Sequence, residues 1–287
     1  MTTKVAVVGA TGKMGRLFSE LIDGAPDFEL VAGLDSRSDL SEMLPADLVV
    51  DVTVPGVSGS VVEYAVAHNR NVLIGTSGWS AERITALART LGDPPASGVV
   101  VIPNFSIGSV LATSFAAMAA PFFDSIEIVE AHASTKVDSP SGTAVRTAEL
   151  MSAARAALGP VSAPHTDQRA RGQQVASIPI HSLRLNGVVA KQDVVLGGTG
   201  EVLTLTHETI SPQAYAAGIL VALRAAVGQR GVVVGLDRLI DLSGREAATG
   251  AAESRSSRTG TAAASGPDGD DAPENVSGQA ATATSVS

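Results

Sequence analysis

Apolar residues arrive in this chain in two rhythms. Short, nearly unbroken runs lie at Lys4–Val8, Leu30–Leu34, Leu48–Val52, Asn71–Ile74 and Val99–Ile102. Between them the spacing is helical: Leu17, Leu21 and Ile22 after the first run, then Val57–His68 and Ala81–Leu91, the last closed by Pro94 and Pro95. Unbroken apolar runs predict strands buried on both faces, and their alternation with helices predicts a parallel, doubly wound sheet.

The rhythm changes after Gly108. A helix is expected over Val110–Ala120, a buried strand over Ile126–Val129, and a helix from Ser141 to about Leu158. Residues 160–176 are polar and contain proline, which predicts an irregular excursion. Three strand-like segments follow, Ile178–Leu185, Val189–Leu196 and Glu201–Thr206, with Gly197-Gly198-Thr199-Gly200 as the hairpin between the last two. Pro212–Val227 returns to helix and Val232–Val234 to a short strand. The expected fold is α/β: a Rossmann-type doubly wound parallel sheet plus a second α+β domain with a mixed or antiparallel sheet. Residues 1–107 and 213–242 would form the dinucleotide-binding domain, and 108–212 the substrate-binding and oligomerisation domain. From 243 to 287 the chain is Ala, Gly, Ser, Thr, Asp and Glu with few large apolar residues, and a disordered tail is expected.

Composition narrows the function. Hydrophobic residues make up 45% of the chain but aromatic ones only 3%, so the core must be built from Val, Leu, Ile and Ala. A formal net charge of -9 argues against a nucleic-acid partner, which needs a basic face. There is no cysteine, which removes disulfides, thiolate metal sites and cysteine nucleophiles and makes a cytoplasmic setting the expectation. No apolar run reaches the roughly 18 residues of a membrane span. The five histidines, His68, His132, His165, His181 and His207, have no paired spacing, so no metal is expected; His181 and His207 read as structural.

The first strand runs directly into Gly9-Ala10-Thr11-Gly12-Lys13-Met14-Gly15 and a helix. Strand, glycine-rich turn and helix in that order make a dinucleotide site credible. Gly9 permits the turn, Gly12 the approach of a pyrophosphate, and Gly15 close helix packing. Asp35, about 20 positions on, is placed to accept ribose hydroxyls. Arg37 and Lys13 could receive a 2′-phosphate, so both NADH and NADPH are expected as cofactors; a surface role for Arg37 is the other reading. Thr53, Gly75, Thr76, Ser77 and Asn104 fall at the carboxyl ends of strands, where such sheets bind ligands.

The densest set of reactive side chains is Glu130-Ala131-His132-Ala133-Ser134-Thr135-Lys136-Val137-Asp138-Ser139-Pro140-Ser141-Gly142-Thr143-Ala144. It offers a proton donor (His132), a cation (Lys136) and a helix start (Ser141, Gly142, Thr143) whose free N–H groups suit a carboxylate. The combination fits a small acidic substrate that is protonated as it reacts. A histidine at a strand end and a Ser-Gly-Thr helix start are each common without any such role.

These motifs, with Pro103-Asn104-Phe105-Ser106, resemble the 4-hydroxy-tetrahydrodipicolinate reductase (dihydrodipicolinate reductase) family of lysine and diaminopimelate biosynthesis, over residues 1 to about 242. The resemblance implies NAD(P)H-dependent reduction of 4-hydroxy-tetrahydrodipicolinate with loss of water. It makes His132 the catalytic acid/base and Lys136 a proton donor that also binds substrate. It assigns Gly142 and Thr143 to a substrate carboxylate, and Gly9 to Gly15, Asp35, Gly75, Thr76, Asn104 and Phe105 to the cofactor. It further implies a homotetramer assembled through the second sheet. One position departs: the family usually carries a second histidine where this chain has Ala133, which bears on affinity and rate more than on reaction type. Two alternatives stand beside this reading, another Rossmann dehydrogenase of a small amino dicarboxylate and a non-catalytic NAD(P)H-binding protein.

Overall fold

The computed structural model describes residues 2–240; the expected tail lies outside them. In chain order the elements are β1 (Thr3–Val8), α1 (Lys13–Asp23), β2 (Phe28–Leu34), β3 (Leu48–Asp51), α2 (Pro55–Ala67), β4 (Asn71–Ile74), α3 (Ala81–Thr90), β5 (Gly98–Val101), α4 (Ile107–Ala119), β6 (Ser125–Ala133), α5 (Gly142–Ala154), β7 (Gln173–Val175), β8 (Ile178–Leu185), β9 (Ala190–Gly198), β10 (Glu201–Thr209), α6 (Ala216–Gly228) and β11 (Gly231–Val234).

The first sheet is parallel throughout, in the order β11-β5-β4-β3-β1-β2. Its inner strands β3, β4 and β5 are nearly unbroken apolar runs because both faces are covered. Val5 and Val7 of β1 enter one core with Phe18 and Ile22 of α1 and Ile219 and Leu223 of α6. Ala6 and Val8 enter the other with Val61 and Val62 of α2 and Leu87 of α3. Each fully buried side chain of this size contributes about 1.5–3 kcal/mol. The last strand returns from the far end of the chain to pair with β5. Asn71 helps fix that return: its Nδ2 donates to the carbonyl oxygens of Ala226 and Val227 at 2.8 Å each, and its Oδ1 accepts from Gly98 N–H at 2.8 Å.

The second sheet has the order β10-β9-β6-β8-β7, with β6 and β8 parallel and the other pairs antiparallel. Ile126, Ile128, Val194 and Leu196 pack with Ala144, Ala148 and Met151 of α5. The expected strand at 126–129 is longer than its apolar run. It continues to Ala133, because β8 and β9 pair with it on both sides as far as His132. His132 therefore stands within the strand rather than beyond it. The irregular 160–176 stretch holds the three-residue β7, which pairs with β8. The expected helix to Leu158 is α-helical only to Ala154, with a 3₁₀ turn at Ala156–Leu158, and Pro212–Tyr215 is likewise a 3₁₀ turn before α6.

Candidate active site

The glycine-rich turn folds as its spacing requires. Gly9 has φ +91°, and a Cβ there would lie 2.6 Å from the Val52 carbonyl oxygen. A Cβ on Gly15 would lie 2.1 Å from the Gly9 carbonyl oxygen, so α1 can sit this close to the turn only with glycine. Helix α1 starts behind Gly12 with no side-chain cap and no acidic residue in its first turn. Its first N–H groups are open to an anion at the positive end of the helix, and these residues fit a dinucleotide pyrophosphate. At the end of β2, Asp35 is paired with Arg37: Nη2 and the backbone N–H of Arg37 each donate to it at 2.9 Å. The Arg37 hydrogen bonds hold the Asp35 carboxyl below its usual range.

Thr53 and Thr76 also carry a structural task. Both are tied to Asp51, which is fully buried. Its side chain accepts from the Thr53 hydroxyl at 2.6 Å and from Ser58, its carbonyl accepts from Thr76 at 3.3 Å, and Trp79 Nε1 donates to Ser58 at 2.8 Å. The two hydroxyls thus brace the loops after β3 and β4.

Near the carboxyl end of β6, strand alternation puts Glu130 on the inward face and His132 at its rim. Glu130 is fully buried, and its Oε2 lies 2.6 Å from His132 Nδ1. Burial works to raise the Glu130 pKa, but hydrogen bonds from Arg184, Ser182 and His132 outweigh it and hold the carboxyl below its usual range. An ionised carboxylate only accepts, so Nδ1 carries the proton and Nε2 is the ring nitrogen left for other chemistry. Lys136 Nζ lies 2.7 Å from Asp138 Oδ1. Ser141 caps α5, accepting from Ala144 N–H at 3.2 Å, while its own N–H donates to Glu130 at 3.2 Å. The N–H groups of Gly142 and Thr143 precede the first helical bond, from Val145 N–H to Ser141 O at 3.0 Å.

A cavity of about 330 Å³ joins the two sets. Met14, Gly75, Pro103, Asn104 and Phe105 line it from the first sheet; His132, Lys136, Ser141 and Thr143 line it from β6 and α5. Asn104 bridges the two, donating through Nδ2 to Ser109 at 2.9 Å and to Thr143 Oγ1 at 3.3 Å. Gly9, Ala10, Thr11, Gly12, Lys13, Gly15, Asp35, Arg37, Thr53, Thr76, Ser77 and Gly142 do not line this cavity. A second depression of about 590 Å³, beside Glu149, Ser152 and Pro160, is lined by no basic side chain. Several cavity residues carry no local sequence signal: Ser109, Gln192, His207, Thr209 and Tyr215. His207, which the sequence assigns to structure, meets the cavity with Nε2 3.2 Å from Ser106 Oγ, and burial lowers its pKa. Among the described residues no cluster of His, Cys, Asp or Glu could hold a metal ion.

Family models described as "Dihydrodipicolinate reductase, N-terminus" and "Dihydrodipicolinate reductase, C-terminus" match residues 3–105 and 108–240. The chain belongs to the dihydrodipicolinate reductase family. It is an oxidoreductase of the NAD(P)H-using kind. A 4-hydroxy-tetrahydrodipicolinate reductase of Clavibacter sepedonicus is 68% identical over 287 residues, all of both chains. That match extends through residues 243–287, which the motif resemblance had left out. The Streptomyces griseus protein of the same name is 42% identical over 84% of this chain and 98% of its own. Among solved structures, the dipicolinate-bound dihydrodipicolinate reductase of Paenisporosarcina sp. TG-14 is similar with a TM-score of 0.70 and 30% identity, over 84% of this chain and 100% of that one.

Proposed function

We propose that this member of the family reduces 4-hydroxy-tetrahydrodipicolinate to tetrahydrodipicolinate in lysine and diaminopimelate biosynthesis, with either NADH or NADPH. The observation that carries the reading is the single cavity in which Asn104 and Phe105 meet His132, Lys136 and Thr143. A small dicarboxylate suits it. One carboxylate is received by the N–H groups of Gly142 and Thr143 and the hydroxyls of Ser141 and Thr143. Lys136 supplies the countercharge once the substrate displaces Asp138. The dipicolinate carried by the Paenisporosarcina relative is a dicarboxylate of the same size class.

The C4 hydroxyl leaves as water, giving a conjugated imine. A dinucleotide held at the glycine-rich turn would supply the hydride for C4. The enamine so formed needs a proton at the ring carbon between C4 and the imine carbon, and His132 delivers it from Nε2 as the imidazolium, with Nδ1–H staying on Glu130. Lys136 offsets the negative charge that develops. Gly9 to Gly15 would hold the pyrophosphate at the α1 start, with Lys13 beside it; Asp35 would take the ribose, and Gly75, Thr76, Ser77, Asn104 and Phe105 would face the reacting end. Because Asp35 is already paired with Arg37, the end of β2 presents both an acceptor and a cation, which supports tolerance of the 2′-phosphate.

The same reading divides the chain into a dinucleotide domain that includes β11 and a substrate domain between residues 108 and 212. It includes a cytoplasmic setting, which a cysteine-free sequence suits. Among the described residues no helix is long and apolar enough to cross a membrane. A homotetramer through the second sheet is supported by its edge strand β10, where Val202 is 69% exposed, and by Leu183 and Leu185 exposed on β8. The test of the reaction is a coupled assay with substrate made in situ: oxidation of NADH or NADPH supports it, and inert dinucleotide in the presence of substrate refutes it.

A further inference from the structure

The proposed chemistry needs three groups held in register: His132 on β6, Lys136 on the loop after it, and the α5 start at Ser141. They stand on separate segments, and chain connectivity alone does not fix their relative positions. One ion pair, Glu130 with Arg184, is hydrogen-bonded to all three segments. Glu130 Oε2 accepts from His132 Nδ1 at 2.6 Å and from Arg184 Nη1 at 3.0 Å. Glu130 Oε1 accepts from Ser141 N–H at 3.2 Å and from Arg184 Nη2 at 3.0 Å. Arg184 Nη2 also donates to the Asp138 carbonyl at 2.7 Å, which pins the Lys136 loop. Arg184 comes from β8, where it is the parallel register partner of His132.

We propose that the Arg184–Glu130 ion pair is the positioning element of the site: it fixes the tautomer and orientation of His132 and locks the Lys136 loop and the α5 start to it. Neither Glu130 nor Arg184 lines the cavity, so both act through other residues. The physical argument has two parts. An acceptor-only carboxylate at Nδ1 leaves one neutral tautomer, with the lone pair of Nε2 toward the reacting atoms. A guanidinium fork fixes the carboxylate plane through two parallel bonds, which a lysine point charge does not do. With the carboxylate plane fixed, His132 and Ser141 are fixed with it. The sequence gives no local sign of this arrangement, because Arg184 lies 54 positions beyond Glu130.

The inference rests on the reading of His132 as the acid, and its test separates the two. The double variant Glu130→Gln/Arg184→Met removes both charges together, so no lone charge is left buried. Nitrogen-15 spectra of histidine-labelled protein, recorded where the rings are neutral, identify His132 by its loss in His132→Asn. In the wild type the His132 proton is expected on Nδ1. In the double variant it redistributes toward Nε2, kcat falls about 10²-fold, and NADPH affinity is unchanged. A wild-type His132 with its proton on Nε2 overturns the proposal, and so does a folded double variant with wild-type kcat. The wild-type spectrum decides even if the double variant fails to fold. It needs no turnover, so a wild-type protein inactive on the substrate would refute the functional reading and leave the positioning role to be judged on the spectrum.

Discussion

His132 draws its chemical character from a neighbour two residues away whose own state is set by a third residue 54 positions on. Burial alone would raise the Glu130 pKa, yet the hydrogen bonds from Arg184, Ser182 and His132 bring it below the usual 4.5. A carboxyl whose folded pKa is depressed contributes stability above its unfolded value, and that contribution is lost as pH falls through the folded one. His207 acts in the same direction. Burial lowers its pKa from 6.5, so the unfolded chain takes up its proton first as the solution is acidified. The melting temperature is therefore expected to decline in two stages on acidification, beginning below about pH 6.5 through His207 and again below about 4.5 through Glu130. Thermal melts across pH check this: His207→Gln should flatten the first stage and leave the second, and an unchanged profile would contradict it. At this scale the sequence was legible where chemistry is local. His132, Lys136 and Ser141 to Thr143 stand within one stretch, and the structure brings all but Gly142 to the cavity wall. His207 and Gln192 reach the same wall from β10 and β9, and only strand pairing brings them there.

The inner strands of the first sheet were the most legible: β3, β4 and β5 are buried along their whole length, so apolar run and strand nearly coincide. Asn71–Ile74 was read at its observed bounds. Strand β6 extends past its apolar run, because its second half is the more polar Glu130-Ala131-His132-Ala133, held in the sheet by neighbours on both sides. The junction of β1 and α1 shows how an element boundary becomes a binding feature. The α1 start remains uncapped, and glycine at 15 permits the helix to approach the Gly9 carbonyl. Gly15→Ala is expected to push α1 away from the turn, to cost about 1–3 kcal/mol as overpacking does, and to weaken NADPH binding. Melts with and without NADPH test this. A variant with wild-type stability and an undiminished shift on adding the dinucleotide would contradict the assigned role of the turn.

At the scale of the whole molecule, the cavity exists because the two sheets bring their strand ends together, a fact that no single segment encodes. The second sheet leaves Val202 on its edge strand and Leu183 and Leu185 on β8 exposed. Burial of this surface between copies predicts sedimentation as a tetramer, with Val202→Lys shifting it toward smaller species; a wild-type monomer would contradict the proposed assembly. A coupled assay tests whether the protein catalyses the reaction. The substrate is generated from pyruvate and aspartate semialdehyde by its synthase, and oxidation of NADH and NADPH is followed separately for the wild type and His132→Gln. The expected result is turnover by the wild type with both dinucleotides despite Ala133, and a fall of about 10²–10⁴-fold in His132→Gln with NADPH still bound. A wild type that binds NADPH but does not oxidise it, or a His132→Gln variant with full turnover, would contradict the account.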